Sequence, residues 1–258
     1  PTAGKLTTFA EFIYMKRKDK GLTLEAAKKI SLEHPLFYGG MLVQKGEADG
    51  MVGGSLHPTA DTIRAALWTV GMAPDSKLLS SFSIMLLHKK EFGENGVLFY
   101  ADCGVVPAPN AEELAQIAID TAASFRKLMN HEPKIALLSF STIGSAKHPS
   151  VDRVIEATRI VREKKPDLFV EGELQLDAAI VPKVAQQKAP GSQVAGYANI
   201  LIFPDLNAGN ISYKITERLA AATALGPIFQ GPAKPINDLS RGCRAEDIVS
   251  IAVITALQ

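Results

Sequence analysis

The chain has 258 residues, 28 basic and 27 acidic, for a formal net charge of +1 with histidine neutral. Apolar residues make up 47% and charged residues 21%, with a mean hydropathy of +0.09. That balance excludes disordered, collagen-like and membrane-embedded classes, and it argues against a protein that holds nucleic acid mainly by charge. At roughly 100–200 residues per domain, the length allows one large domain or two lobes around a sizeable core. The first residue is Pro1 rather than methionine, and a helical pattern starts within ten residues. The expectation is a piece of something longer.

Helices dominate before residue 75. Arg17 sits in the basic run Lys16-Arg17-Lys18-Asp19-Lys20, by default a solvated helix end. The glycine-rich stretch Asp49-Gly50-Met51-Val52-Gly53-Gly54 precedes a helix with Thr59 or Asp61 as its expected cap and Arg64 one turn in. Met72-Ala73-Pro74-Asp75 marks a lobe boundary. Residues 78–87 and 97–105 read as two strands, and the Glu94-Asn95-Gly96 connector predicts an antiparallel hairpin. Strands at 97–100, 135–140, 168–170, 200–203 and 227–229 then alternate with helices through 114–125 and over 151–163, 176–187, 211–224 and 245–257. Alternation at this pitch predicts parallel strands joined by right-handed helical crossovers, buried on both faces.

Cys103 and Cys243 form no CxxC or CxxH spacing, so neither a disulfide framework nor a structural zinc site is expected. The longest apolar runs, such as Ser83-Ile84-Met85-Leu86-Leu87, are too short to span a bilayer, and no basic-then-apolar leader opens the chain. The expected compartment is the cytosol, with no membrane partner.

In α/β sheets, ligands bind on the loops at the carboxyl ends of the strands. One such loop, Phe140-Ser141-Thr142-Ile143-Gly144-Ser145-Ala146-Lys147-His148, offers hydroxyls, a glycine, a lysine and a helix start. Those features suit an anion, although Ser and Thr there also serve as helix caps. GxxxxGK[ST] and GxGxxG are both absent, so the usual mononucleotide and dinucleotide fingerprints are missing. The segment from Ser240 to Asp247 is the most suggestive. An arginine fork at Arg241 can hold phosphate, the Ser240 hydroxyl can donate a hydrogen bond, and the Asp247 carboxylate can take a proton. The competing reading makes Asp247 a partner of the helix dipole and Ser240 a cap. Arg64 is equally at home as a solvated side chain paired with Asp61. His131 and His148 lack a partner at metal spacing, and Cys243 reads as a small packing residue. From residues alone, the chain is a two-lobed α/β protein with anion-friendly loops, either an enzyme or a small-anion binding module.

At these residues the sequence resembles the phosphate acetyltransferase (phosphotransacetylase) family, within the phosphate acetyl/butyryltransferase group. The resemblance runs through residues 46–52, Thr59-Ala60-Asp61-Thr62-Ile63-Arg64, residues 141–149, Glu171-Gly172-Glu173-Leu174-Gln175-Leu176-Asp177-Ala178-Ala179, residues 203–210, Asn237-Asp238-Leu239-Ser240-Arg241-Gly242-Cys243 and Asp247. It implies reversible transfer of an acetyl group between coenzyme A and inorganic phosphate, giving acetyl phosphate. The implied fold is a two-lobed, three-layer α/β/α architecture with mostly parallel sheets, an antiparallel hairpin and an active-site cleft between the lobes. The first lobe would comprise residues 1–74 plus 232–258, with a start expected to be truncated, and the second 75–231. By resemblance, Asp247 takes the thiol proton of coenzyme A, Ser240 bonds developing oxyanion or phosphate charge, and Arg241 holds the phosphoryl group. Arg64 and Arg17 bind coenzyme A or acetyl phosphate, and Ser141, Thr142, Ser145 and Lys147 line the substrate side. No metal and no permanently bound cofactor are implied, coenzyme A being a substrate, and a homodimer is the usual assembly. Two alternatives stay open: a phosphate butyryltransferase, and a non-catalytic acetyl-CoA-sensing domain of the same fold.

Overall fold

The computed structural model describes residues 3–258; Pro1, the residue behind the expectation of a longer chain, lies outside them. The chain divides into two compact units, one running up to Asp75 and resuming over Pro232–Gln258, the other Ser76–Gly231.

The first unit opens with α1 (Ala3–Arg17), α2 (Leu24–Glu33) and α3 (Pro35–Lys45). Thr23 caps α2 by accepting from the Ala26 N–H, and α3 ends at Gly46 in the left-handed conformation, the usual stop signal. A short strand, β1 (Met51–Gly53), then leads into α4 (Thr59–Trp68). Phe9, Ala10, Ile13, Leu36, Phe37, Met41 and Ala65 form a buried cluster among the four helices. The Phe37 ring meets the Trp68 ring edge-on at 5.6 Å.

The second unit is a six-stranded sheet in the order β5-β4-β6-β3-β2-β7, with β2 (Ser80–Leu86), β3 (Val97–Ala101), β4 (Lys134–Leu138), β5 (Phe169–Leu174), β6 (Ile200–Ile202) and β7 (Thr223–Gln230). Helices α5 (Ala111–Met129), α6 (Pro149–Lys164), α7 (Leu176–Ile180), α8 (Pro182–Lys188) and α9 (Leu206–Leu219) cover its faces. The hairpin forms as expected: β2 and β3 pair antiparallel, and Asn95 and Gly96 both take positive φ, as the tight Asn-Gly turn requires. Strand alternation divides the core. Leu98, Tyr100, Ala136, Leu138 and Leu201 point into one cluster with Ala178, Ala179 and Phe203. Phe99 points the other way, stacked on Phe82 at 5.0 Å and edge-on to Phe125 at 5.0 Å.

Three expectations need correction. The stretch 176–187 is two short helices, because Pro182 cannot continue the first and opens the second. The helix expected over 211–224 runs instead over Leu206–Leu219: Asp205 caps it by accepting from Ala208 N, and Ala221 at φ 52 takes the chain out of the helix. The strand expected at 227–229 spans Thr223–Gln230 and pairs antiparallel with β2, so β2 is the one strand reversed within this sheet.

The chain then returns to the first unit as β8 (Ile236–Asp238), parallel to β1, and α10 (Ala245–Leu257).

Candidate active site

β1 and β8 pair in parallel with Gly53 opposite Asp238, so the segments that leave their carboxyl ends start side by side. One runs through residues 54–58 into α4, the other through 239–244 into α10. Between them lies the Asp238 carboxylate, buried, accepting the Thr59 hydroxyl on one oxygen and the Thr62 hydroxyl on the other, each at 2.6 Å. Burial pushes this carboxyl above its ordinary value, while the two hydroxyls and the Leu239 N–H pull it down. Next to it, Asn237 Nδ2 donates to Thr255 Oγ1 at 2.8 Å and Gln258 Oε1 at 2.6 Å, pinning the far end of α10.

The candidate residues lie on these two segments. Ser240 is exposed, and its Oγ accepts from the Gly242 N–H at 3.3 Å; it is not the cap of α10. Arg241 is exposed and has no carboxylate in ion-pair range among the described residues. Asp247 occupies the first turn of α10 in a capping box with Arg244: its Oδ2 accepts the Arg244 N–H at 2.8 Å, and its Oδ1 takes Arg244 Nη2 at 3.3 Å. That backbone bond, ahead of the guanidinium, holds its carboxyl below the ordinary value.

On α4, neither Thr59 nor Asp61 is the cap. Pro58 precedes the helix without a side-chain bond, and the Thr59 hydroxyl goes to Asp238 instead. Arg64 pairs with Asp61 at 3.0 Å on an exposed surface, a contact weak enough to be exchanged for an anion. Arg17, the last residue of α1, lays its guanidinium over the Trp68 ring at 4.9 Å. Trp68 is one helical turn beyond Arg64 on the same face, so α4 carries one arginine and backs a second.

In the second unit, the loop after β4 is organised from below by a residue to which sequence spacing assigns no role. Glu173, buried at the end of β5, accepts the Ser141 hydroxyl and the Gly144 N–H on Oε1, both at 2.8 Å. Ser141 Oγ in turn accepts from Ala146 N at 3.0 Å, and Ser145 Oγ from Thr142 N at 3.0 Å. Thr142 Oγ1 accepts from Gln175 N at 2.9 Å. Ser141 and Thr142 are buried and build the loop, whereas Ser145 and Lys147 are exposed. His148 accepts from the Ser150 N–H and caps α6. Glu173→Ala would take from the buried Ser141 hydroxyl its carboxylate acceptor and from the Gly144 N–H its partner. We expect it to lower stability by about 1–3 kcal/mol, read as a shifted urea midpoint; an unchanged midpoint would show that the loop does not depend on it.

The loop after β3 is built the same way. Asp102, buried, accepts the Ser81 hydroxyl at 2.5 Å and the N–H groups of Gly104, Val105 and Val106 at 2.7, 3.1 and 3.0 Å. Burial nevertheless raises its carboxyl above the ordinary value. The motif Asn207-Ala208-Gly209-Asn210 docks α9 on that loop: a side chain at Gly209 would run into the Asp102 carbonyl, and Asn210 donates to the Cys103 carbonyl at 3.0 Å. Among the described residues, no group of three or more His, Cys, Asp or Glu side chains is arranged to hold a metal ion.

Comparison with known proteins places these features in context. A family model described as Phosphate acetyl/butaryl transferase matches residues 2–256. A phosphate acetyltransferase of Acetivibrio thermocellus is 55% identical over 254 residues, covering 98% of this chain and 76% of the relative. That of Thermoanaerobacterium thermosaccharolyticum is 54% identical over 254 residues, covering 98% and 77%. A solved phosphotransacetylase from Streptococcus pyogenes superposes with a TM-score of 0.88 at 46% identity, covering 99% of this chain and 74% of its own.

Proposed function

This chain belongs to the phosphate acetyl/butyryl transferase family, and on that premise we propose that it transfers an acetyl group reversibly between coenzyme A and inorganic phosphate through the residues just beyond β1 and β8. The observation that carries this reading is the grouping of Ser240, Arg241 and Asp247 on the β8–α10 segment, in parallel with the α4 segment that bears Arg64.

The Asp247 carboxylate takes the proton of the coenzyme A thiol, and the thiolate sulfur attacks the carbonyl carbon of acetyl phosphate. The C–S bond forms as the carbonyl π pair moves to oxygen, where the Ser240 hydroxyl donates. Collapse re-forms the carbonyl, breaks the C–O bond to phosphorus and expels phosphate, whose oxygens the Arg241 fork holds. Arg64 and Arg17 attract the phosphates of coenzyme A or of acetyl phosphate. Lys147 and Ser145 present a donor-rich loop surface, and the buried hydroxyls of Ser141 and Thr142 set its shape. Both substrates bind directly and together, so the step needs no resident cofactor.

A homodimer is part of the same reading. Its support is the exposed row Ile211, Ile215 and Leu219 on one side of α9, an apolar stripe at helical spacing that a second copy would cover. Among the described residues, no helix is long and apolar enough to cross a membrane.

The test is thioester absorbance on mixing acetyl phosphate with coenzyme A. Turnover is expected, faster with acetyl phosphate than with butyryl phosphate. The reverse preference would reassign the chain to butyryl transfer, and tight acetyl-CoA binding without turnover would make it a sensor.

A further inference from the structure

Of the three arginines assigned to substrate binding, Arg64 and Arg241 stand on separate segments, and something must hold those segments in one register. β1 and β8 together form a sheet of only two strands, so backbone pairing alone does little to fix the segments at their carboxyl ends. One side chain spans the gap. Asp238 is the last residue of β8, two positions before Ser240 and three before Arg241, and it is 1% exposed. Its two oxygens take the hydroxyls of Thr59 and Thr62, residues 179 and 176 positions away in the chain. Both threonines belong to the first turn of α4, and Arg64 comes two residues after the second. The backbone closes around the same point: Leu239 N donates to the Gly53 carbonyl at 2.7 Å. Gly54 has φ 107, and a side chain there would collide with Asp238 Oδ1. Gly54 therefore gives the carboxylate the room that any other residue would fill.

We propose that Asp238 is a positioning residue for acyl transfer: its carboxylate, by accepting both threonine hydroxyls, sets Arg64 on α4 against Ser240 and Arg241 on the β8–α10 segment. The proposal rests on the site reading above, in which Arg241 holds the phosphoryl group. Asp238 touches no reacting atom; it acts through the arginines.

Thr59 gives the cleanest test, because it is half-buried and its loss disturbs the core less than that of Asp238. In Thr59→Val one of the two bonds to the carboxylate is gone, while Thr59→Ser keeps it. A hydrogen bond to a charged group corresponds to about a tenfold effect. We expect Thr59→Val to raise the KM for acetyl phosphate about tenfold and to lower kcat in the same direction as Arg241→Gln but by less, and Thr59→Ser to restore the parent values. Calorimetric titration with inorganic phosphate should weaken in step, which reads the same effect without turnover. In an Arg241→Gln background, Thr59→Val should add clearly less than it does in the parent, because one of the two arginines that the bond sets against each other is gone. An unchanged KM and phosphate affinity in Thr59→Val, or effects that simply multiply with those of Arg241→Gln, would overturn the positioning role and leave the site reading intact. Arg241→Gln with parental KM and phosphate affinity would instead overturn the site reading, and the proposal with it.

Discussion

Asp247→Asn is expected to lower kcat/KM about 30- to 100-fold at pH 7, and most of that deficit should disappear by pH 9. The lower figure comes from the thiol. With a pKa near 8.5, about 3% of free coenzyme A is thiolate at pH 7, so an enzyme that has lost its base still meets that fraction. The upper figure is the lower end of what a positioned general base contributes. The Arg244 N–H holds the Asp247 carboxyl below its ordinary value of 3.8, so the wild-type base is ionised throughout the working range. Its kcat/KM should be flat from about pH 5 to 8, whereas the variant should climb about tenfold per pH unit toward 8.5.

Asparagine keeps an acceptor for the Arg244 N–H, so the start of α10 survives and activity is read apart from folding. Asp247→Ala removes the cap as well, at a cost of about 1 kcal/mol. Because the folded pKa is depressed, the charged cap stabilises fully above the unfolded value and loses its contribution as the pH falls through 3.8 and below. The melting-temperature deficit of Asp247→Ala should therefore shrink in acid. Parallel pH profiles for wild type and Asp247→Asn would remove Asp247 from the chemistry and leave it a helix cap.

Local signals were readable from the chain where local physics decides. α10 has the expected bounds, Ala245–Leu257, because an apolar run with acidic first-turn residues leaves few alternatives. The Asn95-Gly96 turn was legible because both residues tolerate positive φ. Features that depend on distant partners escaped. The strand at 227–229 was legible from its apolar residues, but its extension back to Thr223 and its antiparallel pairing follow only from the ladder with β2. Asp238, Glu173 and Asp102 are the clearest misses. An acid in a short polar stretch reads as solvated, and the hydroxyls that justify burying Asp238 and Glu173 come from 176 and 32 positions away. Both acids stand inside the motifs that carry the family resemblance, yet spacing gives them no role. Ser141 and Thr142 show the converse: their hydroxyls look available for substrate and are spent on the loop.

Arg241→Gln is expected to lower kcat/KM about 10²–10³-fold, the range found on removing one donor aimed at developing charge, while moving stability by no more than about 0.5 kcal/mol. The two halves of that expectation have one cause. Arg241 is exposed and has no carboxylate in ion-pair range among the described residues, so its removal breaks no ion pair of the folded chain. The same freedom leaves its fork available to a phosphoryl group without first giving up a partner, unlike Arg64, which must leave Asp61 at 3.0 Å. The loss should divide between the two kinetic constants. The phosphoryl group is anionic before the reaction, so KM for acetyl phosphate rises at least tenfold; as the C–O bond breaks, the departing phosphate gains further charge, so kcat falls as well. Arg241→Lys separates charge from shape. It keeps the cation but replaces the two-pronged donor by a point charge, and should recover most of KM while remaining about tenfold low in kcat/KM. Lysine equal to glutamine would mean that geometry alone matters at this position. A glutamine variant within threefold of the parent would mean that the phosphoryl group is held elsewhere, with the exposed Lys147 and Ser145 next in line for the same measurement.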